Sequence, residues 1–297
     1  LSPIVESQST HRYDAADYKK VDSYAGTNQM LKELCQKAHQ NGIRIVLDAV
    51  FNHTGNDSVY FNQFGTYDSI GAYQVEKDEK YKGLKSPYSE YYKKYCHYGI
   101  HDFEYWWGMG NLPVCDGNSE KWRDFICGNG GVIDTWFELG IDGLRLDVAD
   151  ELSDEFIEEV HNAVTRNKPD GFILGEVWEQ NPMNRGYISS TKGMHSIMNY
   201  QLVDGLIRFY KYSDIWKLDR VLKDICKAFS VNENWLKSGE GEIFSIIDED
   251  EQFHRILGEW LLNCDELTKD TVLSLNQLTR EEFEIVSRML KSLVENK

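Results

Sequence analysis

Over residues 27–41 the apolar positions Met30, Leu31, Leu34 and Ala38 recur at helical spacing, and Asn41-Gly42 closes the run. The stretch Ile43-Arg44-Ile45-Val46-Leu47-Asp48-Ala49-Val50 follows, apolar enough to predict a buried strand. The unit then repeats. Residues 121–139 read as helix, Gly140 stops it, and 143–148 read as strand; 153–165 read as helix and 171–176 as strand. A fourth short apolar piece, Ser196-Ile197-Met198-Asn199-Tyr200, precedes another helical stretch from Leu202. Strands alternating with helices predict an α/β fold with a parallel sheet or barrel. Polar residues stand at the C-terminal end of each strand: Asp48, Asn52 and His53; Arg145 and Asp147; Glu176; Asn199. In a βα-barrel the active site is built on that face, so the pattern itself places the chemistry there.

The pattern changes near residue 215. All 17 tyrosines lie between Tyr13 and Tyr212 and all five prolines between Pro3 and Pro182, while the remainder reads as amphipathic helices rich in Leu, Ile, Glu and Lys. Two modules are expected, 1–215 and an all-α tail over 216–297. With 32 basic and 49 acidic residues the net charge is −17, a field that repels phosphates and anionic lipid heads. Nucleic acid and membrane are therefore not expected partners, and no apolar run approaches the length of a membrane span. Leu1 has neither a Met nor a basic segment before it and reads as a cut end; a cytoplasmic protein is expected, with export left open. Six widely spaced cysteines, without a CxxC pair, are expected to be buried thiols.

Arg145 and Asp147 are two residues apart, so on a strand both project from one face. The adjacent guanidinium should hold Asp147 ionised, which suits a nucleophile. Glu176 lies between Ile173-Leu174-Gly175 and Val177-Trp178, surroundings that should raise its pKa and suit a general acid. Two carboxylates pushed apart in this way, on neighbouring strand ends, meet the requirement for glycoside hydrolysis by the retaining route. Tyr13, Tyr105, Trp106, Trp107 and Trp178 supply rings on which sugars stack, although Trp106-Trp107 read equally well as core.

At these residues the chain resembles the α-amylase superfamily, glycoside hydrolase family 13. The segment His11-Arg12-Tyr13-Asp14-Ala15-Ala16-Asp17-Tyr18 is similar to the family's sugar-stacking loop, which implies that Tyr13 binds substrate. Asp48-Ala-Val-Phe-Asn-His53 resembles the first conserved region, implying that Asp48 and His53 hydrogen-bond the same sugar. Gly143-Leu-Arg145-Leu-Asp147 resembles the second, making Asp147 the nucleophile and Arg145 its partner. Gly175-Glu176-Val177-Trp178 resembles the third, making Glu176 the acid/base with Trp178 beside the substrate. The segments around 101–108 and 196–200 resemble the neopullulanase and cyclomaltodextrinase branch, although Asn111-Leu-Pro-Val-Cys-Asp116 departs from that branch's motif.

The family's later His-Asp pair, which carries a third carboxylate, has no counterpart here: the sole His-Asp, His101-Asp102, precedes the nucleophile. The resemblance thus implies a partial (β/α)8 TIM barrel, strands three to six plus the end of the second at Leu1-Ser2-Pro3, marginal alone or completed by other contacts such as a homo-oligomer. Asn52 matches a calcium ligand of some members, but no acidic cluster surrounds it and no cofactor or metal is expected. The segment 219–244 resembles the end of a phage-repressor-type helix-turn-helix regulator, with Phe229, Val231, Trp235 and Leu236 as core, followed by stripes at Phe253, Leu257, Trp260, Leu261 and at Phe283, Val286, Leu290. Three functions stay open: a retaining hydrolase with an α-glucan oligosaccharide partner, an inactive or weakly carbohydrate-binding remnant, and, from the tail only, a transcriptional regulator.

Overall fold

Thr27 opens the first helix, α1 (Asn28–Gln40), by accepting the Met30 N–H on its hydroxyl at 3.2 Å. Its buried stripe, Leu31, Cys35 and Ala38, packs toward the core. The computed structural model describes residues 1–98, 100–178, 188, 192–229 and 231–243, with 279, 280, 282, 285, 286, 288 and 289 near the C-terminus. It divides into two units, 1–203 and 204–297.

In the first unit, β1 (Val5–Ser7) and β2 (Ala15–Val21) pair antiparallel ahead of α1. After α1 come β3 (Val46–Ala49), the short α2 (Ala72–Lys77), and an antiparallel hairpin of β4 (Lys94–His97) and β5 (Ile100–Phe103). Then follow α3 (Glu120–Cys127), α4 (Val132–Glu138), β6 (Gly143–Leu146), α5 (Asp154–Asn167), β7 (Phe172–Gly175) and β8 (Ser196–Ile197). Here the single helix expected over 121–139 is corrected. Gly128-Asn129-Gly130-Gly131 breaks it in two, because three glycines within four residues leave the backbone without the side chains that hold a helix, and Gly130 turns through φ 71°.

The parallel sheet runs β3-β6-β7-β8. Leu1 extends it on the β3 side: its amino nitrogen donates to the Val46 carbonyl at 2.7 Å and its carbonyl accepts from the Asp48 N–H at 3.1 Å. Asp142 pins the opposite strand ends, accepting the Ile45 N–H and meeting His39 Nε2 of α1, each at 2.7 Å. Ser153 caps α5, whose buried Phe156, Ile157, Val160 and Val164 cover the sheet. Trp122, Phe61, Phe103 and Phe156 are fully buried. The Tyr18 ring packs against Phe51, Tyr60 and Trp122, and its hydroxyl lies 2.7 Å from the carbonyls of both Val50 and His53, which fixes the chain leaving β3.

The second unit begins within the helix α6 (Tyr200–Tyr212) and continues through α7 (Ile215–Phe229) and α8 (Glu233–Ser238). Asp219 ties α7 to α8 by accepting Lys223 at 2.8 Å and Lys237 at 3.0 Å. Val231, Trp235 and Leu236 are half-buried. The Phe229 side chain, Phe253, Leu257, Trp260, Leu261, Phe283 and Leu290 lie outside the described residues. The five described cysteines are free thiols, and the expectation that all are buried is corrected: Cys35, Cys115 and Cys127 are buried, Cys226 is half-buried, and Cys96 is exposed on β4, all four residues of which face solvent. Among the described residues no helix is long and apolar enough to cross a membrane.

Candidate active site

Parallel register brings the site together before any side chain is considered. Asp48 of β3 is paired with Arg145 of β6, and Arg145 with Leu174 of β7. The ladder runs on past the strand ends, with the Asp147 N–H donating to the Ala49 carbonyl at 3.0 Å and the Glu176 N–H to the Leu146 carbonyl at 2.9 Å. Asp48, Asp147 and Glu176 are thereby delivered to one rim. Gly175 is required just before Glu176: a Cβ there would meet Met194 Sδ at 2.2 Å.

One guanidinium gathers all three carboxylates. Arg145 Nη1 donates to Asp48 Oδ1 at 2.7 Å and to Asp147 Oδ1 at 2.6 Å, while Nη2 donates to Glu176 Oε2 at 2.7 Å. Three acids around a single cation, all largely dry, cannot all ionise cheaply. Burial pushes Asp147 up to about 7 against the pull of Arg145, with the Glu176 and Asp48 charges adding to the rise. Asp48 is raised as well, again chiefly by burial.

Glu176 goes the other way. Burial raises it, but the donors aimed at it outweigh burial and hold it below the usual carboxylate range. The Tyr200 hydroxyl donates to Oε1 at 2.6 Å, Trp178 Nε1 donates to the same oxygen at 3.1 Å, and the Val148 N–H donates to Oε2 at 3.2 Å. Val148 is a β-branched residue at φ 40°, ψ 49°, a strained left-handed conformation that turns this N–H toward the acid. This corrects the expected order, in which Asp147 would be low and Glu176 raised. The apolar neighbours in sequence do not show that three donors, Arg145, the Val148 N–H and Tyr200, converge on Glu176 from elsewhere in the fold.

The remaining predicted residues divide. Tyr13 joins the cluster, its hydroxyl donating to Asp48 Oδ2 at 3.1 Å, and burial with the Asp48 charge raises it to about 12. Trp178 lies over Tyr200, ring centroids 3.8 Å apart at 14°, with its backbone N–H held by Asp150 Oδ2 at 2.9 Å. His53 is fully buried beneath Trp106, and burial lowers it to about 4, so it is a neutral ring at physiological pH. Its Nε2 is buried without a partner, a polar atom left open in an otherwise satisfied site. Asn52 faces Glu151 Oε2 at 3.4 Å, and among the described residues no group of three or more His, Cys, Asp or Glu could hold a metal ion. Sequence reasoning missed Tyr200, the Val148 N–H and Glu151 as parts of the site. Tyr200 was within reach, since it ends the strand-tip motif 196–200.

A family model described as the α-amylase catalytic domain matches residues 1–247. The chain belongs to that family. The match takes in 219–244, the segment expected from sequence to resemble the end of a helix-turn-helix regulator, and that expectation finds no support. Among α-amylase-family relatives, the amylopullulanase of Thermoanaerobacterium saccharolyticum is 36% identical over 225 residues, covering 70% of this chain and 17% of that protein. The cyclomaltodextrinase of Geobacillus thermopakistaniensis is 32% identical over 227 residues, covering 72% of this chain and 34% of that one. A solved structure of cyclic α-maltosyl-(1→6)-maltose hydrolase from Arthrobacter globiformis, in complex with cyclic α-maltosyl-(1→6)-maltose, superposes with a TM-score of 0.58 at 28% identity, over 70% of this chain and 43% of that one. The chain therefore spans less than half the length of these relatives.

Proposed function

We propose that this chain carries the nucleophile and the acid/base of a retaining α-glucan hydrolase. The observation that carries the reading is the Arg145 guanidinium holding Asp48, Asp147 and Glu176 together at the C-terminal rim of a parallel sheet. β3, β6, β7 and β8 serve as strands three to six of a (β/α)8 barrel in this reading, with Leu1 as the end of the second and the helical segment from 216 as a packing element. Relatives named amylopullulanase and cyclomaltodextrinase support α-glucans as the substrate class.

In the first step a carboxylate oxygen of Asp147 attacks the anomeric carbon, the glycosidic C–O bond breaks, and Glu176 gives its proton to the departing oxygen. In the second, Glu176 takes a proton from water, whose oxygen displaces Asp147 from the same carbon. Attack needs Asp147 ionised and Glu176 protonated; burial pushes Asp147 up and the donors around Glu176 hold it down, so the entering sugar has to shift this balance by passing a proton from Asp147 to Glu176. Tyr13, Asp48, neutral His53 and Arg145 hold the sugar at the bond to be broken, and Trp178 receives the ring beyond it.

The test is release of chromophore from a nitrophenyl maltooligosaccharide, with the anomer of the first product read by NMR. Activity giving the α-anomer, lost in both Asp147→Asn and Glu176→Gln, supports the reading; a β-anomer first product sinks the retaining route. A second reading, a carbohydrate-binding remnant, is favoured by one observation: among the described residues the only carboxylate that Arg145 meets besides Asp147 and Glu176 is Asp48, and Asp48 also accepts from Tyr13. Glucan binding without turnover would select it.

A further inference from the structure

Three rings run in a stack from the buried end of the site to the surface. The Trp106 ring lies on His53, centroids 5.1 Å apart at 24°, and the Trp107 ring lies on Trp106, 5.3 Å apart at 30°. Both indoles are tied to one carboxylate: Trp106 Nε1 donates to Glu151 Oε2 at 2.9 Å and Trp107 Nε1 to Glu151 Oε1 at 3.2 Å. Asn52, next to His53, donates to the same Oε2. Despite this clamp, Trp107 is 78% exposed. Its backbone sits at φ 49°, ψ 27°, followed by Gly108 at φ 73°.

A bulky aromatic residue in the left-handed region is held there at a cost, and an indole left in water does not repay that cost through burial. What strain and clamp produce is a flat apolar face, fixed in orientation and open to solvent, one ring beyond Trp106. Isolated exposed apolar side chains need no explanation. Trp216 is as exposed, yet among the described residues it has neither a stacking ring nor an acceptor for its N–H. The ligand that fits a fixed indole face is a neutral pyranose, whose C–H face packs on the ring while its hydroxyls stay hydrated. The chain's net charge of −17 disfavours an anionic one.

We infer that Trp107 is a platform for a glucose ring remote from the bond being cleaved, and that Glu151 is its positioning residue. This rests on the α-glucan reading and adds a second point of attachment, so that longer chains bind more tightly than short ones. Preorganisation is the reason for the clamp: a ring already oriented loses no rotamer freedom when the sugar arrives.

Calorimetric titration of the 297-residue chain with maltotriose and maltoheptaose tests this without requiring turnover. The wild type is expected to bind maltoheptaose more tightly than maltotriose. Trp107→Ala, at an exposed position where folding is not at risk, should weaken maltoheptaose about tenfold, the effect of one stacked ring, and leave maltotriose unchanged. Glu151→Ala should give a smaller loss with the same length dependence, because the ring remains but is no longer held. Unchanged maltoheptaose binding in Trp107→Ala, or equal losses for both sugars, overturns the platform while leaving the hydrolase reading intact. A wild-type chain that binds neither sugar overturns both. A length-dependent loss in a chain that fails to hydrolyse keeps the platform and removes the hydrolase.

Discussion

The two units of this chain both carry Trp, Leu and Ile and bury them differently. Trp122 in the first unit is fully buried against Tyr18, Tyr91 and Phe125, whereas Trp216 in the second is 83% exposed. Among the described residues, every buried large apolar side chain but Val221 belongs to the first unit. The amphipathic pattern of α6 and α7 is as clean as that of α5, yet α5 lays its stripe on a sheet while Leu206, Ile207, Tyr210 and Ile215 face solvent. Amphipathicity says that a helix has a face to bury; only the tertiary partner decides whether it is buried.

The contrast can be broken most forcefully at Arg145. Arg145→Ala leaves three clustered carboxylates without their cation, and the first unit should lose about 3–5 kcal/mol. Hydrogen exchange read peptide by peptide should show the loss across β3, β6 and β7 and little change in α7. Next comes a matched pair: Trp122→Ala should cost about 3–5 kcal/mol by denaturant titration and Trp216→Ala within about 0.5 kcal/mol. Equal effects would mean that the second unit is packed as tightly as the first.

A smaller effect is expected from Asp147→Asn, and its sign depends on pH. Asp147 is raised from 3.8 to about 7 on folding, so between those values the folded state holds a proton that the unfolded chain has released. Wild-type stability therefore falls as pH rises through that interval. The variant escapes the penalty and should be more stable than wild type by about 1–3 kcal/mol at pH 8, with the difference vanishing below about pH 4. Thermal melts across pH check this, and a variant less stable at pH 8 would contradict it. The smallest effect is at Tyr200→Phe. Removing a donor to the charged form should raise the pKa of Glu176, followed through carboxyl carbon NMR with Glu176→Gln to identify the resonance; an unchanged titration would contradict it.

Much of the first unit is readable from sequence because its signals are local. The span of α1 follows from Thr27 and Asn41-Gly42, and β3, β6 and β7 follow from apolar runs ending in charge. The pairing of Arg145 with Asp147 follows from the two-residue repeat of a strand. The antiparallel pairs β1–β2 and β4–β5 are not readable in the same way, since Ala15–Val21 interrupts its buried positions with Asp17, Lys19 and Lys20 and all of Lys94–His97 is exposed. The ionisation order of Asp147 and Glu176 is not local either. It depends on Tyr200 arriving from 24 residues downstream and on the strained turn at Val148, neither of which leaves a mark beside Glu176 in the sequence. The glycine break between α3 and α4 is written in Gly128-Asn129-Gly130-Gly131, but the helical periodicity on both sides of it reads as one continuous helix.

The register of the sheet also sets a timetable for the chain's synthesis. β3 finds its partner β6 only 97 residues later, Val46 against Gly143, with β7 and β8 later still. At about 5–20 residues per second, a ribosome leaves the apolar β3 without its neighbour for roughly 5–20 s. The antiparallel hairpins close over far shorter separations, so they are the structures a nascent chain can hold in the meantime. The rim that carries Asp48 is thus made first and completed last, and a chaperone that shields residues 43–50 during that interval would protect the yield of the whole site.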